Sequence, residues 1–184
     1  MAAALRLARA FTGRDLIFHC GYHGWINNMS RHGVPEATQR TYRSVPWGNI
    51  EPYVEAFEAE GDDISAVSVA SSYGDLEAGH PFLADLRELT QKHGALLIFD
   101  EIVMGFRLRR AGAQEYFGVT PDLAVFAKGI SNGVPLSCYV GRAEVMDKVQ
   151  ESTISSTFGG DTLGLAAARA VLDVYEKENV IGTL

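Results

Sequence analysis

The order of apolar runs and helical patterns predicts an α/β fold on a largely parallel sheet. Two short apolar runs carry most of that expectation. Ala95–Phe99 follows Gly94 and stops at Asp100-Glu101, and Asp122–Ala127 stops at Lys128-Gly129. Continuous runs of this length read as strands buried on both faces. The third observation is what lies between the runs: stretches such as Pro81–His93 place Phe82, Leu83, Leu86 and Leu89 on one helical face.

Taken in order, residues 1–11 read as a helix with Ala4, Leu7, Ala8 and Phe11 on one side. No Ser, Thr, Asp or Asn caps its start, so it reads as the interior of a longer sequence. Thr12-Gly13-Arg14 is a turn, and Asp15–Cys20 is a strand. Gly21-Tyr22-His23-Gly24-Trp25 follows, an aromatic residue on a glycine-flanked loop, where a ring can lie flat on a planar ligand. Residues 26–48 read as a loop with a short strand near Tyr42–Val45. Asn49 caps a helix over Ile50–Glu60, with Pro52 in its first turn and Gly61 at its end. Ile64–Ala70 is the next buried strand, 73–80 a loop, and Pro81–His93 the helix that leads into Ala95–Phe99. Gly105-Phe106-Arg107 turns the chain after that strand. Beyond Lys128, Leu136–Gly141 returns as a strand, Ala143–Gln150 is a short helix and Leu163–Glu178 a longer one.

Bulk properties narrow the function classes. The 184 residues suffice for one domain with a sizeable core. A net charge of −7 argues against non-specific nucleic-acid binding, and no run is long and apolar enough to span a membrane. Cys20 and Cys138 lie far apart with no metal or redox spacing, which fits a reduced, cytoplasmic protein. His19, Cys20 and His23 make a poor metal cluster, because His19 and His23 straddle a strand–glycine break.

The chemistry sits at the two strand ends. Asp100 and Lys128 stand where open α/β sheets bind ligands. A partly desolvated lysine can attack an aldehyde to form a Schiff base. A carboxylate in the same cleft can keep a pyridine nitrogen protonated. Together these are the two handles a protein needs on pyridoxal 5′-phosphate (PLP). The same two residues would equally serve as an ion pair at the sheet edge.

Longer motifs surround both. Leu97-Ile98-Phe99-Asp100-Glu101-Ile102-Val103-Met104-Gly105-Phe106-Arg107 resembles the LLIFDEVxTGFR signature of class-III aminotransferases, with Met104 in place of the usual Thr. Pro121-Asp122-Leu123 through Lys128-Gly129-Ile130-Ser131-Asn132-Gly133-Val134-Pro135 resembles that family's PDxxxxxKGxxNGxP block. Gly112–Gly118 is similar to the glutamate-1-semialdehyde aminomutase branch.

The resemblance implies a three-layer α/β/α PLP-dependent transferase large domain over residues 1–184. It also implies that the phosphate-binding segment before the first helix and a C-terminal small domain lie outside this sequence. It assigns Lys128 as the catalytic lysine that carries PLP and moves the proton, and Asp100 as the acid at the ring nitrogen. Tyr22 would stack on the ring, with Ile102 on the opposite face and His23 as a hydrogen-bonding neighbour. Thr157, in Ser156-Thr157-Phe158-Gly159-Gly160-Asp161-Thr162-Leu163, would reach the phosphate of a second subunit, where Asp161-Thr162 replaces the family's Asn-Pro. Arg107 is assigned a structural role. The implied reaction moves an amino group from an amine or amino acid to a keto or aldehyde acceptor in a homodimer. An aminomutase, or an inactive fragment of either enzyme, are the alternatives. Ala70-Ser71-Ser72-Tyr73 stands where many members carry Glu-Pro, which weakens an ω-amino-acid assignment.

Overall fold

The apolar runs become neighbouring strands because each can be covered on two faces. The computed structural model describes residues 1–25, 32–71 and 75–184. Among these, β1 (Leu16–Cys20), β2 (Tyr42–Ser44), β3 (Ile64–Val69), β4 (Leu96–Asp100), β5 (Leu123–Phe126) and β6 (Cys138–Gly141) form one sheet in the order β2-β1-β3-β4-β5-β6. Every pairing is parallel except β5 with β6, which is antiparallel. The central strands β1, β3, β4 and β5 are buried at every residue. That is why they carry unbroken apolar runs rather than an alternating pattern.

Helices cover both faces, which makes the three layers expected from the sequence. On one face, α1 (Ala2–Thr12) lays Ala4, Leu5, Leu7 and Ala8 over Ile17, Ala66, Leu96, Ile98, Leu123 and Val125. On the other, α3 (Glu51–Glu60) and α4 (Gly79–His93) bury Tyr53, Phe57, Phe82, Leu83 and Leu86 against Phe18, Val67, Val69, Leu97 and Phe99. Each fully buried large apolar side chain is worth roughly 1.5–3 kcal/mol against exposure, so these two interfaces hold the sheet flat between them. The remaining helices are short, α2 (Glu36–Gln39), α5 (Ala113–Phe117), α6 (Ala143–Met146), α7 (Lys148–Glu151) and α9 (Val180–Thr183), apart from the 16-residue α8 (Thr162–Lys177).

Several boundaries differ from expectation for local reasons. The stretch read as loop to residue 48 contains α2, a single turn started by Pro35. The first six residues of the expected loop, 26–31, lie outside the described residues, as do Ser72 and Tyr73. Ala143–Gln150 is two short helices meeting at Asp147. The helix α3 starts one residue later than expected, with Ile50 at its N-cap, and Asn49 just before it accepts from the Glu51 N–H at 3.1 Å through its side-chain oxygen. Gly61 ends that helix in right-handed geometry, not the left-handed turn glycine usually supplies.

No helix among the described residues is long and apolar enough to cross a membrane. No group of three or more His, Cys, Asp or Glu among them could hold a metal ion.

Candidate active site

The functional end of the sheet is built at the tip of β4. Register places Asp100 opposite Val125 of β5, and β3 pairs Ser68 with Ile98 two residues earlier. The Asp100 carboxylate is buried. Its Oδ1 accepts from the Ile102 N–H at 3.1 Å, and its Oδ2 lies 2.9 Å from His23 Nδ1. The other ring nitrogen, His23 Nε2, lies 3.2 Å from the Ser68 carbonyl oxygen. A carbonyl can only accept, so the bond to Ser68 uses Nε2–H. The doubly protonated ring is the form that also donates to an ionised Asp100. The loop after β1 thus crosses the sheet end and clamps the acid of β4.

The residue after Asp100 fixes the loop beneath it. Glu101 is fully buried. Its two carboxylate oxygens accept from the Ala113 N–H at 2.9 Å and the Gln114 N–H at 3.0 Å, at the start of α5. Its backbone N–H bonds to the Val125 carbonyl, and its carbonyl accepts from Gly105. Burial pushes the Glu101 carboxyl up to about 7, against the pull of the two backbone N–H groups. Gly112 is left-handed, at φ 76°, and a Cβ there would sit 2.1 Å from a Glu101 oxygen. The Gly112–Gly118 motif therefore leaves space for that carboxylate. The bare strand-end pattern placed an acid here but not its partners, which lie more than ten residues away on α5.

Lys128 follows β5 after one extended residue, Ala127, and adopts a left-handed φ of 49° at the start of a 3₁₀ turn, Lys128–Ile130. At ~3.3 Å per residue, its Cα stands roughly 10 Å beyond the Asp100 row. The lysine is exposed, not partly desolvated as expected, because β5 ends at Phe126 and the turn carries the side chain past the sheet. The turn itself is tightly held. A Cβ on Gly129 would come within 3.0 Å of Phe106 Cβ, and one on Gly105 within 2.7 Å of the Phe126 ring. The two signature segments therefore pack glycine against aromatic, and α8 braces them as Tyr175 donates its hydroxyl to the Phe106 carbonyl.

The other expected site residues are distributed as follows. Tyr22 is 62% exposed beside buried His23, so its ring is free to meet a ligand. Ile102 is half-buried, packed on the α1 side of the sheet, with its N–H on Asp100. Thr157 lies in an exposed turn before α8 and is not hydrogen-bonded to any of the other five. Arg107 is structural: its Nη1 donates to the Val103 carbonyl at 2.9 Å. His19 and His23, expected to be separated by the glycine break, have their rings edge to face with centroids 6.1 Å apart. The loop folds back over the strand it leaves.

These donors fit PLP. Asp100 is a buried carboxylate with its position fixed from both oxygens, exposed Tyr22 precedes the His23 that holds it, and Lys128 lies in the turn that follows the adjacent strand.

The sequence profile of the class-III aminotransferases matches residues 5–183. The chain belongs to the class-III aminotransferase family. It is 39% identical over 197 residues to glutamate-1-semialdehyde 2,1-aminomutase 2 of Brevibacillus brevis, covering 95% of this chain and 46% of that protein. Over 166 residues it is 43% identical to the Staphylococcus haemolyticus protein of the same name, covering 80% of this chain and 39% of that one. Its fold superposes on the PLP internal aldimine form of the Sphingopyxis sp. MTA144 FumI protein with a TM-score of 0.86 at 27% identity, over 96% of this chain and 45% of that one. An ω-transaminase from Sphaerobacter thermophilus gives a TM-score of 0.81 at 28% identity, over 93% of this chain and 46% of that one. The chain spans about half the length of these class-III relatives.

Proposed function

We propose that this class-III chain forms the cofactor-binding part of a PLP-dependent aminotransferase. The observation that carries this reading is Asp100, buried at the tip of β4 and held by His23 and the Ile102 N–H, with Lys128 at the end of the adjacent strand. PLP, when bound, supplies an aldehyde for the lysine and a protonated ring that draws electrons from the substrate carbon. Asp100 holds the proton on the ring nitrogen. His23 fixes the orientation of Asp100. Tyr22 would cover one face of the ring and Ile102 the other. Lys128 would hold the cofactor through its amino group and would move a proton at the substrate carbon as general base and then acid.

The substrates on this reading are an amino donor and a keto or aldehyde acceptor. Thr157, exposed before α8, would serve the phosphate of a second copy in a cytoplasmic homodimer. The names of the relatives favour one second reading: an aminomutase would use the same residues and return the amino group to another carbon of the same molecule. A product assay separates the two, since only a transaminase needs a second keto acid.

The test is a visible absorbance spectrum of the chain with added PLP, then borohydride reduction and peptide mapping. The expected result is a reduced adduct on Lys128, absent in Lys128→Ala. A folded chain that takes PLP on another residue, or whose Lys128→Ala variant still turns over, would overturn the assignment.

A further inference from the structure

One row of side chains behind the site has unmet hydrogen bonds. His19 on β1 and Ser68 on β3 are register partners, so both project from the same face of the sheet. That is the face α1 covers, and on it Ile17 and Ala66 lie two residues earlier. Both polar residues are buried, and neither His19 Nδ1 nor Ser68 Oγ has a hydrogen-bond partner among the described residues. Buried polar groups left unpaired cost about 1–3 kcal/mol each, so two on neighbouring positions call for a shared explanation.

Their chemistry is complementary. A neutral imidazole protonates one ring nitrogen and leaves the other to accept, and in His19 the buried nitrogen without a partner is Nδ1. With the proton on Nε2, Nδ1 is a bare acceptor. Ser68 Oγ–H is a donor. Burial and the facing His23 push His19 down to about 4, so the ring is neutral near pH 7, as an acceptor must be. Neighbouring strands stand about 4.8 Å apart, a gap that two side-chain tips can close through one water with bonds of about 2.8 Å. A metal is a poorer occupant, because Cys20 projects from the opposite face of β1 and leaves two histidines without a third ligand.

Both residues lead to the site. The carbonyl of Ser68 holds His23 Nε2, and His23 holds Asp100. His19, near the end of β1, leads through Cys20 and Gly21 into Tyr22. We propose that His19 and Ser68 hold an ordered water between them, and that this bridge makes both positioning residues that join the Tyr22 turn to the Asp100–His23 pair. Their function rests on the reading of Asp100 as the cofactor's acid, but the bridge itself does not.

The experiment is histidine ¹⁵N NMR of the full chain near pH 7, with and without PLP, on wild type, Ser68→Ala and Ser68→Thr. The expected wild-type spectrum shows His19 neutral, protonated on Nε2, with Nδ1 accepting a hydrogen bond. Ser68→Ala shifts the His19 Nδ1 resonance toward that of a free acceptor and also moves the His23 signals. Ser68→Thr, which keeps the hydroxyl, restores both. In the same series PLP affinity falls about fivefold in Ser68→Ala, one hydrogen bond's worth, and recovers in Ser68→Thr. A His19 protonated on Nδ1, or His19 and His23 resonances unmoved in Ser68→Ala, would sink the proposal whether or not the chain binds PLP. Expected shifts in a chain that forms no Lys128 adduct would instead keep the bridge and remove the cofactor reading.

Discussion

Two buried aspartates sit at opposite ends of the same pair of strands. Asp100 closes β4 and is 6% exposed; Asp122 precedes β5 and is 3% exposed. Their partners separate them. Asp122 Oδ2 accepts from Arg87 Nη1 at 2.8 Å and from the Leu97 N–H at 2.7 Å, and its Oδ1 accepts from Arg142 Nη1 at 2.8 Å. Two guanidinium groups neutralise it permanently, and it staples α4, the start of β4 and the segment after β6 together. Asp100 faces a histidine and one backbone N–H, which leaves a lone pair for a ligand. The same residue type at the same depth is a rivet at one end of the sheet and, on the proposed function, a binding group at the other. The difference lies in how fully its oxygens are already held, and open α/β sheets bind ligands at the C-terminal strand ends.

Exchanging the two carboxylates for neutral groups breaks the comparison most sharply. Asp100→Asn keeps the shape and removes the charge at the ring nitrogen. Conversion of an added amine by the PLP-loaded chain is expected to fall by roughly 10²–10³-fold, the usual cost of one preorganised charged contact. Its melting temperature should stay near that of wild type. A variant that retains turnover would mean that Asp100 is a second rivet.

Asp122→Ala is expected to do the reverse. Removing it leaves Arg87 and the Leu97 N–H without their acceptor in a buried setting. A loss of about 3 kcal/mol is expected, since deleting one partner of a buried pair strands the other. Measured by urea unfolding, the midpoint should move without a change in slope. Turnover per folded molecule should change little. Unchanged stability would show that the arginines are hydrated and the staple is decorative.

How much of this was legible beforehand follows the range of each interaction. The sheet strands were visible because burial on both faces imposes an unbroken apolar run, as in Leu96–Phe99. That Asp100, Lys128 and Tyr22 stand at or just past strand ends was legible because the apolar runs stop there. The partners were not. Nothing near Asp122 announces Arg142, twenty residues on, and nothing near Glu101 announces the N–H groups of Ala113 and Gln114. His19 and His23 sit four apart across a turn whose path no periodicity specifies. Lys128 was expected to be desolvated because its strand is, but the strand ends two residues before it.

The smallest effect sharpens the comparison within the site itself, through two buried groups whose titrations oppose each other. Glu101 has its folded value raised from 4.5 to about 7, chiefly by burial. Between those values the folded state holds the extra proton, so this group's contribution falls as pH rises from 4.5 and levels off above about 7. His19 has its folded value lowered from 6.5 to about 4. There the unfolded state holds the extra proton, so its contribution is complete above 6.5 and is lost as pH falls toward 4. Over the shared window from 4.5 to 6.5 the two slopes cancel in the wild type, whose stability should be nearly flat. Each variant exposes the other group. Glu101→Gln should gain stability with rising pH through that window, and His19→Phe should lose it, each by up to about 1.4 kcal/mol per pH unit. Urea midpoints measured from pH 4 to 8 read both slopes. Parallel curves for all three proteins would mean that neither group titrates inside the fold, and that Glu101 is held by its two N–H partners as a plain anion.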